Sequence, residues 1–434
     1  MNISKKNLFY LSIPVFFSNS AVPLVGLVDT GLMGNLEDSK FLAATSVATS
    51  VMTMIVWSFA FLRMGTVGIV SELHGKSDYR EIARTLLRNI IIALIISIIL
   101  ILLKSSIIDL TNIYFKTSFE TSKLIDKYIF VRIHSIPAEF MIYILVGFYF
   151  GIQKTNISSL IVIILSALNI VLSSFFVLSL NLDILGVVLG TLIASYLTAI
   201  IFSFYTYKFI VRKFQISFSF HRLFILSKLF KLFSINFNIF IRTLLLTFSF
   251  LWVTFLGSKL GEDFLAVNTI LMQFIILASF FLDAYAYSTE GVVGYTLGRK
   301  NEKNFLIAVK NSIFLSFITA LVISTIYLIF FKQLINLITD IDILRFISYQ
   351  HAIWIIIIPP VASFAYQYDG IFIGTTQTKE MRNAMIISVA TFIVLSIYLT
   401  KFFGNHGLWF ALLLFMLLRS LTLRYFFYKI LQRF

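Results

Sequence analysis

The chain of 434 residues is 59% apolar and 13% charged, with a mean hydropathy of +0.95. Soluble domains are about half apolar and about a quarter charged, so this composition excludes a soluble enzyme and predicts an integral membrane protein. The net charge of +15 is then a topology signal rather than a sign of nucleic-acid binding. The sequence has no cysteine and five scattered histidines without an HExxH motif, so neither disulfides nor a metal cluster is predicted.

Twelve windows of the chain are long and apolar enough to cross a bilayer. A helical crossing needs about 20 mostly apolar residues, because the backbone must satisfy its own hydrogen bonds in hydrocarbon. The first window contains Pro14, Pro23 and Asp29 and lacks a signal-peptide cleavage pattern, so we expect it to be retained as a span. In chain order the windows are 8–33, 42–71, 86–104, 129–152, 157–179, 184–209, 232–257, 264–294, 306–331, 346–375, 383–402 and 407–430.

The basic residues favour one orientation of these spans. With the N-terminus in the cytoplasm, the inner segments and the adjoining span ends hold 22 Lys and Arg residues, and the outer segments hold nine. Cytoplasmic loops carry such an excess. We therefore predict a multi-pass protein of the cell inner membrane with both termini in the cytoplasm. Four further basic residues fall within spans, namely Arg63, Arg132, Arg242 and Arg419.

The chain contains an internal repeat whose matching residues are separated by one constant spacing. Gly147 pairs with Gly370 and Gly151 with Gly374, within the matching segments GFYFGIQKT and GIFIGTTQT, and we call this spacing the repeat offset. Six spans separate the copies, so both halves keep one orientation and should be related by a pseudo-two-fold axis along the membrane normal. We predict an all-α membrane protein with two six-helix lobes around a central cavity. The predicted divisions are an N-lobe at 1–209, a basic cytoplasmic linker at 210–231 and a C-lobe at 232–434.

Two carboxylates, Asp29 and Glu139, stand inside predicted spans of the N-lobe. A charged carboxylate at the bilayer centre costs at least about 2.5 kcal/mol, so each is a candidate functional residue. Asp29 lies in PLVGLVDTGLMG, where Pro23 removes a backbone donor and three glycines permit close packing or bending. A bendable helix with a titratable group suits ion coupling, while a neutral or ion-paired structural role stays open. The position one repeat later is Trp252, so the two lobes differ in chemistry.

The C-lobe has three carboxylates inside its spans, Asp283, Glu290 and Asp369, together with Arg242 as a candidate counter-ion. Asp283 and Glu290 are seven residues apart and share a helix face. An unpaired charge would be expensive here, so we expect at least one carboxylate within salt-bridge reach of Arg242. The network is either a structural clamp or a site for a cation or substrate, and both interpretations stay open.

Nine short segments spread along the whole chain carry a family resemblance. In order they are PLVGLVDTGLMG (23–34), FLRMGTVGI (61–69), GIQKTN (151–156), LNIVL (168–172), RTLLL (242–246), LAVNTILMQF (265–274), LDAYAYSTEG (282–291), DGIFIGTTQTKEMRN (369–383) and NHGLW (405–409). The ordered set resembles the multidrug and toxic compound extrusion (MATE) transporters, and within them the DinF branch. This resemblance implies a twelve-helix, two-lobe fold. It also implies export of small organic, often cationic or amphipathic compounds, driven by inward movement of H⁺ or Na⁺.

The resemblance further implies roles for individual residues. Asp29 would be the coupling carboxylate of the first helix, with Na⁺ near it if sodium is the coupling ion, and Asn169 would belong to its network. Where the family usually reads NIVLD this chain reads NIVLS, so Ser173 replaces a second carboxylate. Ser173 can hydrogen-bond a protonated Asp29 but cannot carry charge. Either Glu139 compensates for this loss, or the lobe binds a single ion.

Three classes of function compete. The leading hypothesis is a monomeric secondary antiporter that works by alternating access. It catalyses no chemical reaction and uses no cofactor. Its partners are the lipid bilayer and small organic substrates, not nucleic acid. No P-loop occurs, so ATP is not indicated as the driver. A flippase for lipid-linked precursors, from the same superfamily, is the alternative, and a strongly basic central cavity would favour it. A membrane-embedded transferase would need a His/Asp or acidic metal cluster at one interface, which the sequence does not show.

Overall fold

The computed structural model describes residues 3–36, 38–214 and 223–434, and every regular element in these ranges is helical. Residues 215–222 of the predicted linker lie outside the described residues. Eleven helical stretches in the described ranges are long and apolar enough to cross a membrane. The helices are α1 (Lys5–Gly34), α2 (Ser39–Ser58), α3 (Phe61–Gly75), α4 (Tyr79–Leu102), α5 (Lys104–Phe115), α6 (Phe119–Arg132), α7 (Ile136–Gly151), α8 (Thr155–Leu178), α9 (Asp183–Phe214), α10 (Leu226–Lys259), α11 (Glu262–Gly298), α12 (Glu302–Asn336), α13 (Asp342–Gly374), α14 (Thr378–Phe426) and α15 (Tyr428–Leu431).

Two of the predicted spans contain a break between two helices. α2 ends just before Phe59 and α3 begins at Phe61, while a 3₁₀ turn at Ile133–Ser135 joins α6 to α7. Pro137 stands in the first turn of α7, where its missing N–H would have no partner within the helix. The sequence did not predict α5 as an element, because its 12 residues are too few to cross a bilayer.

The last two predicted spans lie within α14. Gly404 interrupts this element with φ 55° and ψ −136°, a conformation that glycine adopts without the steric cost other residues incur. The element is therefore two helices, 378–403 and 405–426, and each is long enough to cross a bilayer. The prediction of twelve crossings is confirmed.

The described chain packs as two compact units. One unit is Phe17–Leu232, and the other combines the residues up to Phe16 with Phe233–Phe434. The start of α1 thus packs with the second half of the chain: Asn311 donates to the carbonyl of Ile3 at 3.0 Å, and the hydroxyls of Ser12 and Ser288 are 3.1 Å apart. The domain boundaries inferred from the sequence stay a prediction.

Glycines one repeat apart pack in the same way within their own units. A Cβ added to Gly147 would lie 2.5 Å from the carbonyl oxygen of Arg63, and one added to Gly370 would lie 2.8 Å from that of Ala286. Arg63 and Ala286 are themselves separated by the repeat offset. Only glycine allows the two backbones to approach so closely.

A second pair of glycines repeats this relationship. A Cβ on Gly151 would lie 2.7 Å from a methyl carbon of Val70, and one on Gly374 would lie 2.7 Å from a methyl carbon of Val293. Val70 and Val293 are also separated by the repeat offset. The internal repeat is therefore confirmed as a repeat of helix packing.

The outer faces of the helices are apolar. Leu102, Ile200, Phe204 and Leu251 are more than half exposed, as are many other large apolar side chains. A soluble protein rarely exposes so much apolar surface, whereas a membrane protein directs it to lipid. The polar and charged side chains inside the two units are therefore candidates for a functional role.

Candidate functional site

One ion pair of the N-terminal half joins Arg132, at the end of α6, to Glu139, near the start of α7. Nη2 of Arg132 donates to Oε2 of Glu139 at 3.3 Å, and Nη1 donates to Oε1. The hydroxyl of Ser135, in the intervening 3₁₀ turn, donates to Oε1 of Glu139 at 2.7 Å. Glu139 was predicted as a site residue, but its partner Arg132 was not. The guanidinium neutralises this carboxylate directly.

Asp29 of α1 lies close to this pair. Its side chain is half-buried, and Oδ1 is fully buried without a hydrogen-bond partner among the described residues. Arg132 and Tyr128 are within electrostatic range of the carboxylate, and Tyr128 is hydrogen-bonded to Thr49 at 3.0 Å. We call Asp29, Arg132 and Glu139 the N-half charge cluster. It contains two carboxylates and one guanidinium.

Asn169 and Ser173 of α8 form a separate polar group with α9. Nδ2 of Asn169 donates to the hydroxyl of Thr191 at 2.8 Å. The hydroxyl of Ser173 is 3.4 Å from Oδ1 of Asn169 and 3.3 Å from the carbonyl oxygen of Val187. Within the described residues neither side chain hydrogen-bonds Asp29. The structure therefore brings Asn169 and Ser173 together, and their predicted roles at Asp29 stay a prediction.

The repeat-related positions in the second half do contact each other. At the repeat offset, Trp252 corresponds to Asp29 and Ser396 to Ser173. The indole N–H of Trp252 donates to the hydroxyl of Ser396 at 2.9 Å. The two positions of the second half that correspond to Asp29 and Ser173 are therefore in direct contact.

A second group of buried charges connects three helices of the C-terminal half. Arg242 of α10 and Arg419 of α14 both donate through Nη2 to Oδ2 of Asp369 on α13, and the bond from Arg419 is 2.6 Å long. The prediction that a carboxylate lies within salt-bridge reach of Arg242 is confirmed. Arg419 was noted as an intramembrane arginine but was not predicted as a site residue. We call Arg242, Asp369 and Arg419 the C-half charge cluster.

The other two predicted carboxylates of this half are Asp283 and Glu290 of α11. Asp283 is half-buried and lies within electrostatic range of Tyr366, whose ring centroid is 5.9 Å from the guanidinium of Arg419. Glu290 is buried on α11. Among the described residues neither forms an ion pair with Arg242. The structure thus joins Arg242 to Asp369, and the roles of Asp283 and Glu290 stay a prediction.

The described residues contain no group of three or more His, Cys, Asp or Glu side chains that could hold a metal ion. A sodium ion at Asp29 would have to complete its shell with neutral oxygens. The predicted oxygen ligands are those of Asn169 and Ser173, and these side chains hydrogen-bond each other and α9. Sodium binding at this place stays a prediction.

Comparison with known sequences gives matches along the whole chain. The MatE family model matches twice, at residues 14–175 and 239–400, in agreement with the internal repeat. DNA damage-inducible protein F of Escherichia coli (strain K12) is 32% identical over 420 residues, which cover 97% of this chain and 91% of that protein. Multidrug export protein MepA of Staphylococcus aureus is 25% identical over 203 residues, which cover 47% of this chain and 45% of MepA.

Solved structures match the fold. A crystal structure of MATE in complex with MaL6 superposes with a TM-score of 0.88 and 18% identity, covering 99% of this chain and 97% of that one. The outward-facing conformation of a multidrug resistance MATE family transporter of the MOP superfamily also gives a TM-score of 0.88 at 18% identity, covering 99% and 96% of the two chains. At this level of identity the likeness establishes the two-lobe fold alone.

Proposed function

Because this chain belongs to the MatE family, we propose that it is a secondary antiporter that exports small amphipathic or cationic organic compounds in exchange for inward H⁺ or Na⁺. The family consists of membrane transporters, so the chain is not an enzyme. The name of MepA, a multidrug export protein, supports the direction of transport and the substrate class. We place the protein in the cell inner membrane, with both termini in the cytoplasm and alternating access as its mechanism.

The observation that carries this proposal is the state of Asp29. Its Oδ1 is buried and has no hydrogen-bond partner among the described residues, in a helix that also contains Pro14 and Pro23. A buried carboxylate must be neutralised by a proton or a bound cation. Asp29 therefore has the properties of a group that takes up a coupling cation on one side of the membrane and releases it on the other.

The charge balance of the N-half cluster supports a single coupling ion. Arg132 directly neutralises Glu139, and Ser173 cannot carry a charge. Asp29 is then the one carboxylate of the cluster that is not directly ion-paired. One monovalent cation balances it, so we propose that one H⁺ or one Na⁺ crosses per transport cycle.

The test is transport by the purified protein in inside-out vesicles, with proton and sodium gradients imposed separately. We expect a fluorescent organic cation to accumulate when one of the two gradients is present and not when both are collapsed. Accumulation that persists without any ion gradient would contradict the antiport mechanism. Dependence on ATP would contradict it as well.

A further inference from the structure

The arginines of the C-half charge cluster are bound by single-point contacts. Both guanidiniums donate through Nη2 to one oxygen, Oδ2 of Asp369. An arginine fork usually binds a carboxylate through two parallel hydrogen bonds that use both carboxylate oxygens. Within the described ranges, Asp369 is the only carboxylate that is ion-paired with either arginine. Two guanidiniums thus share one carboxylate oxygen, and the fork of each remains largely unused.

Buried donors of the cluster have no acceptor. The Nε–H groups of Arg242 and Arg419 are buried and lack a hydrogen-bond partner among the described residues, and so does Oδ1 of Asp369. Unsatisfied buried donors are rare in proteins, and each calls for an explanation such as a bound ion, a water molecule or a functional role. The two Nε–H edges offer hydrogen bonds to an additional acceptor, preferably a charged one.

The helix packing of the fold does not require these charges. At the repeat offset, Arg242, Asp369 and Arg419 correspond to Asn19, Val146 and Tyr196. The other half keeps the same glycine contacts, such as that of Gly147, with neutral side chains at these three positions. If helix packing required such an ion-pair network, both halves would contain one at these positions. The cluster is therefore better explained by binding than by packing.

The two arginines differ in their freedom to reorient. Arg419 is 1% exposed, and its Nη1 contacts the sulfur of Met416 at 3.3 Å. The rings of Tyr366 and Phe415 lie 5.9 and 5.6 Å from its guanidinium. The side chain of Arg242 is 8% exposed and is bound only to Asp369 among the described residues. Arg419 can therefore keep Asp369 neutralised while Arg242 turns to another partner.

We propose that Arg242 binds the anionic group of an amphipathic substrate, a carboxylate or a sulfonate, through its Nε–H edge while Arg419 retains Asp369. The planar fork of arginine matches such oxyanions, which accept two hydrogen bonds at once. This inference rests on the proposed export function and specifies its substrates. Anionic and zwitterionic amphiphiles then belong to the substrate class, in addition to cations.

The first experiment compares two dyes that differ in one anionic group. Rhodamine B carries a free carboxylate, and its ethyl ester has the same ring system without that charge. We expect Arg242→Gln to weaken binding of rhodamine B to the purified full-length protein roughly tenfold, and binding of the ester less than about twofold. Fluorescence polarisation measures both affinities.

Arg382→Gln is the matched control. Arg382 lies in the same half of the chain but donates to the neutral side chains of Asn238 and Asn383. We expect this variant to bind both dyes as the wild type does. An equal loss for both dyes in Arg242→Gln, no loss for either, or the same rhodamine B loss in Arg382→Gln would overturn the proposal. Wild-type protein that does not bind rhodamine B would overturn it too.

A second measurement uses the unaltered protein, so it stands even if Arg242→Gln does not fold. Ethanesulfonate, at constant ionic strength, should displace rhodamine B but not its ester. Displacement of neither dye, or of both alike, contradicts the subsite. Vesicle export of the ester distinguishes failure of the anion subsite from failure of the proposed export function. If both dyes are exported along a gradient but Arg242→Gln affects them alike, only the subsite is rejected. If neither dye is exported, the proposed function is rejected.

Discussion

The two halves of the molecule share their helix packing and differ in their charges. The N-half charge cluster has two carboxylates around one guanidinium, whereas the C-half charge cluster has two guanidiniums around one carboxylate. Each cluster has uncharged residues at the corresponding positions of the other half. The corresponding pairs are Asp29 and Trp252, Arg132 and Ile355, Glu139 and Ala362, Asn19 and Arg242, Val146 and Asp369, and Tyr196 and Arg419.

This difference separates what the fold needs from what the function needs. The contacts of Gly147 and Gly370 are the same in both halves, so they belong to the fold. The charges of each cluster have uncharged counterparts in the other half, so the shared glycine contacts do not depend on those particular charges. The N-half charge cluster has one more carboxylate than guanidinium, which suits a coupling cation, and the C-half charge cluster has unused arginine donors, which suit an anion.

The largest expected effect comes from removing the charge of Asp29. We expect Asp29→Asn to abolish gradient-driven export while the protein still folds and inserts, because the amide keeps the shape but cannot titrate. The measurement is export by the purified variant in vesicles, beside its melting temperature.

Asp126→Asn serves as the control for Asp29→Asn. Asp126 is on α6, the helix of Arg132, and accepts a hydrogen bond from Asn112 at 2.8 Å. We expect this variant to export at the wild-type rate. Export retained by Asp29→Asn would show that the N-half cluster does not couple transport to an ion.

The next largest effect is on stability. Asp369→Asn leaves two buried guanidiniums without a counter-ion, and we expect a loss of about 3–5 kcal/mol in the free energy of unfolding. Arg242→Gln leaves the pair of Arg419 and Asp369 intact, so its loss should be smaller. Denaturation of both variants in the same detergent shows which variant loses more unfolding free energy. A greater loss in Arg242→Gln would mean that Asp369 is not the centre of the cluster.

A smaller effect tests the shared packing directly. Gly147→Ala and Gly370→Ala each place a methyl group less than 3 Å from a backbone carbonyl oxygen, so the helices must move apart. We expect each change to cost about 1–3 kcal/mol, with similar values for both. Gly31→Ala is the control, since a Cβ there meets nothing within 4 Å. Very unequal losses of unfolding free energy in the two variants would show that the helices do not pack in the same way in the two halves.

The fold could be predicted from the sequence because its signals are local or periodic. Span length and hydropathy gave the twelve crossings, the constant repeat offset gave the repeat, and nine ordered motifs gave the family, which the match to DNA damage-inducible protein F confirms. The break near Phe59 was missed because it lies within a run of apolar residues, and the short helix α5 because its 12 residues are too few to cross a bilayer.

The charge partners could be predicted only in part. Arg132 and Glu139 are seven residues apart and share a face across the 3₁₀ turn, so spacing alone could have found them. Arg419 is 50 residues from Asp369 on another helix, and its choice of partner depends on how three helices pack. The predicted roles of Asp29, Asn169, Ser173 and Glu139 in coupling stay predictions.

The smallest expected effect concerns the number of ions that the N-half cluster carries. Ser173→Asp adds a carboxylate at the position whose counterpart, Ser396, is bonded to the counterpart of Asp29. The variant would then hold two carboxylates without an ion-paired partner, and each would need a cation. We expect the ion to substrate ratio to rise from one to two while the transport rate changes little.

Ser173→Asn separates charge from size, because Ser173 is fully buried and close to Gly190. The amide has the shape of the added carboxylate but no charge, so the ratio should stay at one. The ion to substrate ratio is measured in vesicles that hold a fixed substrate gradient. The membrane potential is varied until net substrate transport stops, and the ratio is calculated from that potential. A ratio of two already present in the wild type would mean that Glu139 also releases its ion pair during the cycle. In that case Arg132 would have to change partners between Glu139 and Asp29.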